Sequence, residues 1–147
     1  MAPNNVFVSF DWDNDRHYKF LLEAWHANPL FTFSFTDGTS NEINTSDVAR
    51  IKAALTTKIN AANYTLVLVG KEANKRHRLS AEIGFKNWIN FEVNRSKLAG
   101  NRIVAVKLDR TNESPEELLG ANAAWAMSFS EQAIIAALRG ATASNAR

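Results

Sequence analysis

The sequence predicts an α/β fold, a parallel five-stranded sheet in the order 2-1-3-4-5 with helices on both faces. Three observations predict it. Apolar runs of strand length alternate with segments of helical periodicity from one end of the chain to the other. Residues 64–69 are almost continuously apolar, as a strand covered on both faces is, and 102–108 reads as a further buried strand. Five strands joined through helices wind with right-handed crossovers, and the order 2-1-3-4-5 sets the ends of strands one and three side by side.

Residues 6–10, Val-Phe-Val-Ser-Phe, suit a first strand buried on both faces, and the acids Asp11, Asp13 and Asp15 follow at once. Asp13, Asn14 and Asp15 can each cap the helix expected over 15–27, where Tyr18, Leu21, Leu22 and Trp25 fall on one face. Asn28-Pro29 ends that helix, because the residue before proline resists helical geometry. Residues 31–35 alternate Phe-Thr-Phe-Ser-Phe, which predicts a half-buried edge strand. The polar stretch 37–45 exceeds the usual connection of about 4–6 residues and is placed to close over a crevice.

Thr45, Ser46 or Asp47 caps a second helix with the stripe Val48, Ile51, Leu55 and Ile59. Residues 64–69 form the central strand, where each buried Leu or Val contributes roughly 1.5–3 kcal/mol. Gly70 turns the chain with no side chain in the way. The basic stretch 71–78 leads into a helix expected from about Leu79 to Asn94, and 102–108 is the next strand. Ser114-Pro115-Glu116-Glu117 reads as a helix start, with Ser as cap, Pro first and Glu three residues on. A short last strand is expected over 124–129, then a helix capped by Ser130 and carrying Ile134, Ile135 and Leu138. One domain over 1–139 and a frayed tail over 140–147 complete the expectation.

Composition removes several functions. A net charge of +2 gives general nucleic-acid binding little support. The absence of cysteine excludes disulfides and thiolate metal sites, and His17, His26 and His77 have no paired ligand spacing, so no metal is expected. No apolar run approaches the ~20 residues of a membrane helix. The first residues do not read as a signal peptide, and a cytoplasmic protein without membrane contact is expected.

The expected topology brings the turn 11–15 and the stretch 70–82 to one crevice. No G-x-G-x-x-G, Walker A or G-x-S-x-G pattern is present, which removes the common nucleotide loops and the serine-hydrolase elbow. A phosphoacceptor receiver needs an acid at the end of strand three, and that end reads Val69-Gly70-Lys71. Glu82, in the first turn of the next helix, has two readings: an acid stabilising a helix N-terminus, or a carboxylate facing an oxocarbenium-like transition state. Asp11, Asp13 and Asp15 are turn and capping residues or ligands of ribose hydroxyls. The cations from Lys71 to Arg78 form a solvated loop or hold a pyrophosphate. Trp12 and Trp88 pack against the protein or stack on a base.

The run from Val6 to Asp15, the stretch Asn44-Thr45-Ser46-Asp47 with Ile51-Lys52, and residues 64–70 with Ser80-Ala81-Glu82-Ile83 resemble the bacterial TIR-like family. Within it they are most similar to the ThsB proteins of the Thoeris antiphage system, from about Val6 to Leu108. The resemblance implies a flavodoxin-like, three-layer TIR-like fold and an enzyme of NAD+ nucleosidase or ADP-ribosyl cyclase type. NAD+ would be its substrate, and no other cofactor is implied. It implies release of nicotinamide and a cyclic or conjugated ADP-ribose signal that activates a separate effector, with an infection-derived trigger and self-association as further expectations. By position Glu82 matches the catalytic glutamate, and Phe10, Asp11, Trp12, Asp13, Asn14 and Asp15, with Gly70 and Lys71, match the NAD+ pocket. The sequence departs from the pattern where an aromatic residue often precedes the glutamate, which is Ala81 here. A TIR-like interaction module without catalysis is the rival reading.

Overall fold

The computed structural model describes residues 4–26, 33–37 and 46–141. The helix stop at Asn28-Pro29, most of the long connection 37–45 and the tail from 142 lie outside the described residues. The elements are β1 (Asn4–Ser9), α1 (Trp12–His26), β2 (Phe33–Asp37), α2 (Val48–Asn60), β3 (Tyr64–Val69), α3 (Ser80–Ile83), α4 (Trp88–Ala99), β4 (Arg102–Lys107), β5 (Ala124–Ala126) and α5 (Glu131–Gly140). A 3₁₀ turn, Glu116–Leu118, precedes β5.

All five strands are parallel, in the order β2-β1-β3-β4-β5. Alternation within each strand sends side chains to opposite layers. Val6, Val8, Leu66, Leu68, Val104 and Val106 face α1 and α5, where Leu22, Ile134 and Leu138 complete a buried cluster. On the other face Phe7 packs with Leu55, Ile59 and Phe91 of α2 and α4. Val67, Val69, Ile103 and Ala105 pack against Ile89 and Val93 of α4. The result is the flavodoxin-like arrangement, three layers deep. Ser9 pairs with Val67, so β1 and β3 finish beside each other at the crevice.

Several boundaries differ from the expected ones, each for a local reason. Helix α1 begins at Trp12 because Asp11 is its cap: the Asp13 N–H donates to Asp11 Oδ1 at 3.2 Å, and the Asp15 N–H donates to the Asp11 carbonyl at 2.8 Å. Asp13, Asn14 and Asp15 therefore stand inside the first turn. The helix expected over 79–94 is two helices. Gly84 ends α3 at φ 84°, a left-handed conformation that glycine adopts without strain, and Asn87 starts α4 by accepting from the Asn90 N–H. Pro115, not Ser114, precedes the 3₁₀ turn, and no side chain caps it. Strand β5 stops at Ala126.

Candidate functional site

A cavity of about 420 Å³ opens at the ends of β1 and β3. Its first wall is the end of β1 and the start of α1, with Phe10, Asp11, Trp12 and Asp13. The loop after β3 gives the second, with Glu72, Lys75, Arg76, His77 and Arg78. The third is the start of α4, with its cap Asn87, then Trp88 and Ile89, and Glu92 one helical turn further on.

Glu92 is the buried acid of this cavity, only 2% exposed. Ser9, at the end of β1 and fully buried, donates its hydroxyl to Glu92 Oε1 at 2.5 Å. A strand terminus thus fixes a helix carboxyl group, and a polar group held in place in this way acts strongly where water is excluded. The aromatic wall is equally ordered. Phe10 and Trp12 lie 6.0 Å apart between ring centroids, and the Arg16 guanidinium sits 5.7 Å over Trp12. Trp88 meets Phe91 edge-on at 5.7 Å.

The two rims carry opposite charge. On the basic rim Lys75 is partly neutralised by Glu72 at 3.5 Å, and Arg76 reaches Ser80 Oγ at 3.4 Å. His77 Nδ1 accepts from the Leu79 N–H at 2.9 Å, which puts the proton of the neutral ring on Nε2. Burial, and then the adjacent Arg78, hold the His77 pKa below its usual value. Asn14 ties the rims together, donating to Asp11 Oδ2 at 2.6 Å and to Glu72 Oε1 at 3.1 Å.

Of the residues singled out in the sequence, Phe10, Asp11, Trp12 and Asp13 meet at the cavity. Asn14, Asp15, Gly70, Lys71 and Glu82 do not line it. Asn14 acts behind the rim, and the Lys71 side chain is exposed outside it. Asp15 turns inward against Gly70, where an added Cβ would lie 1.9 Å from Asp15 Oδ2, so glycine is required by close approach. Glu82 is exposed on α3 and does not line the cavity. The break at Gly84 ends the short helix and gives α4 its own start and direction. Sequence reasoning missed Glu92, although Phe91 directly before it supplies the aromatic–acid pair absent at Ala81-Glu82.

Asp15 carries a pH-dependent consequence. Burial raises its pKa from 3.8 to about 6, reinforced by the nearby Asp11, and its Oδ2 has no hydrogen-bond partner. With the folded pKa above the unfolded one, the favourable contribution is complete below about pH 4 and is lost as pH rises through about 6. Asp15→Asn is therefore expected to be more stable than the parent above that range, by roughly 1–3 kcal/mol, the gap closing toward pH 4. Urea midpoints at acid and neutral pH check this; the same gap at both would assign it to packing.

Among the described residues no group of three His, Cys, Asp or Glu is arranged to hold a metal ion, and no helix is long and apolar enough to cross a membrane. A family model described as the TIR-like domain of the Thoeris protein ThsB matches residues 7–113. A prokaryotic SEFIR domain superposes with a TM-score of 0.56 at 16% identity, over 94% of each chain. A 2-deoxyribosyltransferase from Bacillus psychrosaccharolyticus superposes with a TM-score of 0.52 at 11% identity, over 85% of this chain and 87% of that one. At those identities the likeness is one of fold. No curated protein matches the chain.

Proposed function

The chain belongs to the TIR-like domain family of the Thoeris protein ThsB, and on that premise we propose that it cleaves NAD+ at the ribose–nicotinamide bond, with Glu92 as the catalytic carboxylate. The observation that carries this reading is a buried carboxylate, oriented by Ser9, in a cavity with an acidic rim and a basic rim. NAD+ is itself divided in charge, with a cationic nicotinamide ring at one end and an anionic pyrophosphate in the middle. Asp11 and Asp13 suit the cationic end and the ribose hydroxyls, and Arg76 and Arg78 suit the pyrophosphate. Trp12 and Trp88, both half-buried at the cavity, offer faces on which a ring can stack.

The chemistry asks little of a general acid. The bond from ribose C1′ to the nicotinamide nitrogen breaks, and its electron pair neutralises the pyridinium as it leaves. Positive charge develops on the ribose, and the Glu92 carboxylate stabilises it. Water, or a nucleophile held in the cavity, then bonds to C1′ and gives up its proton. A held nucleophile outcompetes water through high effective molarity, which yields a cyclised or conjugated ADP-ribose. Such a product is suited to act as a signal for a separate effector.

Incubating the purified protein with NAD+ and following nicotinamide release tests the reading, with and without extract of infected cells. NADH is the control, since its reduced ring is not a cationic leaving group. Release from NAD+ alone of the two is expected, with a product distinct in mass or chromatography from linear ADP-ribose. Inertness under both conditions would favour the second reading, a non-catalytic interaction module. The exposed Leu119, Trp125 and Met127 around β5 are the observation in its favour.

A further inference from the structure

Asn87 stands where the loop after β3 meets the helix that carries Glu92. Its Nδ2 donates to the carbonyls of Ala73 and Lys75, both at 2.9 Å. Its Oδ1 accepts from the backbone N–H and the side-chain Nδ2 of Asn90, also both at 2.9 Å. Both amide protons and both acceptor directions are used, and the residue is buried. The amide has only one workable orientation: turned over, its oxygen would face two carbonyls. Asn90 extends the grip, donating to Asn74 Oδ1 at 3.1 Å and accepting from the Glu117 N–H at 2.9 Å. Asn74 in turn accepts from the Glu116 N–H at 3.0 Å and donates to Glu113 Oε2 at 2.9 Å.

Capping α4 does not by itself call for asparagine, because serine or aspartate caps a helix as well. What asparagine adds is the pair of donors aimed at the loop. Residues 71–78 contain no strand or helix, so ties of this kind decide where their cations stand. We infer that Asn87 is a positioning residue that holds the basic loop in register with Glu92 and so acts on substrate binding. The kinetic part of this inference rests on the NAD+ reading; the structural part does not.

Two variants separate the cap from the tether. Asn87→Asp keeps size and cap but turns two donors into acceptors facing carbonyls. Asn87→Ser keeps a cap without adding charge. Trypsin reads the loop directly at Lys75, Arg76 and Arg78, while cleavage after Arg102, where the interior strand β4 begins and the next residue is fully buried, reports global unfolding. In both variants loop cleavage is expected to rise about tenfold or more relative to Arg102, the scale of two lost hydrogen bonds. In Asn87→Ser the KM for NAD+ should rise roughly tenfold, with kcat within about threefold of the parent. Parent-like loop cleavage, or an equal rise at Arg102, would overturn the positioning role. So would a falling kcat at constant KM, which would place the effect on Glu92 instead. If the parent leaves NAD+ intact, the function proposed above fails by itself, and proteolysis still decides the tether.

Discussion

Glu92→Gln is expected to lower nicotinamide release from NAD+ by about 10²–10³ or more, the scale for removing a principal transition-state stabiliser. The substitution removes charge and almost no volume. The Ser9 hydroxyl, 2.5 Å from Glu92 Oε1, can donate equally to a glutamine oxygen, so the buried contact between β1 and α4 survives. Thermal stability should therefore stay near that of the parent, and the loss should fall on kcat rather than KM, because the charge is needed only as the ribose becomes cationic. Glu82 provides a control within the same molecule. It is an acid of the same type, exposed on α3 and outside the cavity, and Glu82→Gln should turn over within about twofold of the parent, as surface substitutions usually leave a protein. The reverse pattern, an inactive Glu82 variant beside an active Glu92 variant, would return the catalytic role to α3.

The different places of these two acids show where the sequence is legible. The five strands and their order are readable because buried parallel strands declare themselves as apolar runs, and residues 64–69 could hardly be anything else. The first wall of the cavity is readable too, since residues 10–13 leave β1 at the point where such sheets bind ligands. Reading 79–94 as one helix hides Glu92. Within one helix Glu82 occupies the first turn and looks poised, whereas Gly84 at φ 84° and the Asn87 cap divide the segment and bring another acid forward. Glycine followed shortly by a capping asparagine is a local stop-and-start signal, and it was available. The inward turn of Asp15 was not. It depends on the close approach of Gly70, distant along the chain, and no periodicity records such an approach.

The second large effect is expected on the basic rim, where Arg76→Gln combined with Arg78→Gln should raise the KM for NAD+ about 10- to 100-fold. Hydrogen bonds to a charged group are each worth roughly 1.5–3 kcal/mol, and a pyrophosphate between two guanidiniums loses more than one of them. The cations of this loop are not equivalent. Lys75 is already occupied by Glu72 at 3.5 Å, so its replacement should cost less. Lys71 is exposed outside the cavity, and Lys71→Gln should leave KM within about twofold. Arg76 and Arg78 line the cavity, and each guanidinium offers a planar fork of donors that matches a phosphate. Because the rim is open to solvent, its attraction is screened over ~10 Å at 0.1 M salt and ~3 Å at 1 M. Raising the salt should therefore increase the parent's KM toward that of the double variant while the variant's own KM moves little, and kcat should follow neither. A KM that is unchanged in the double variant, or equally salt-sensitive in both proteins, would make the loop a solvated face and move the phosphates elsewhere in the cavity.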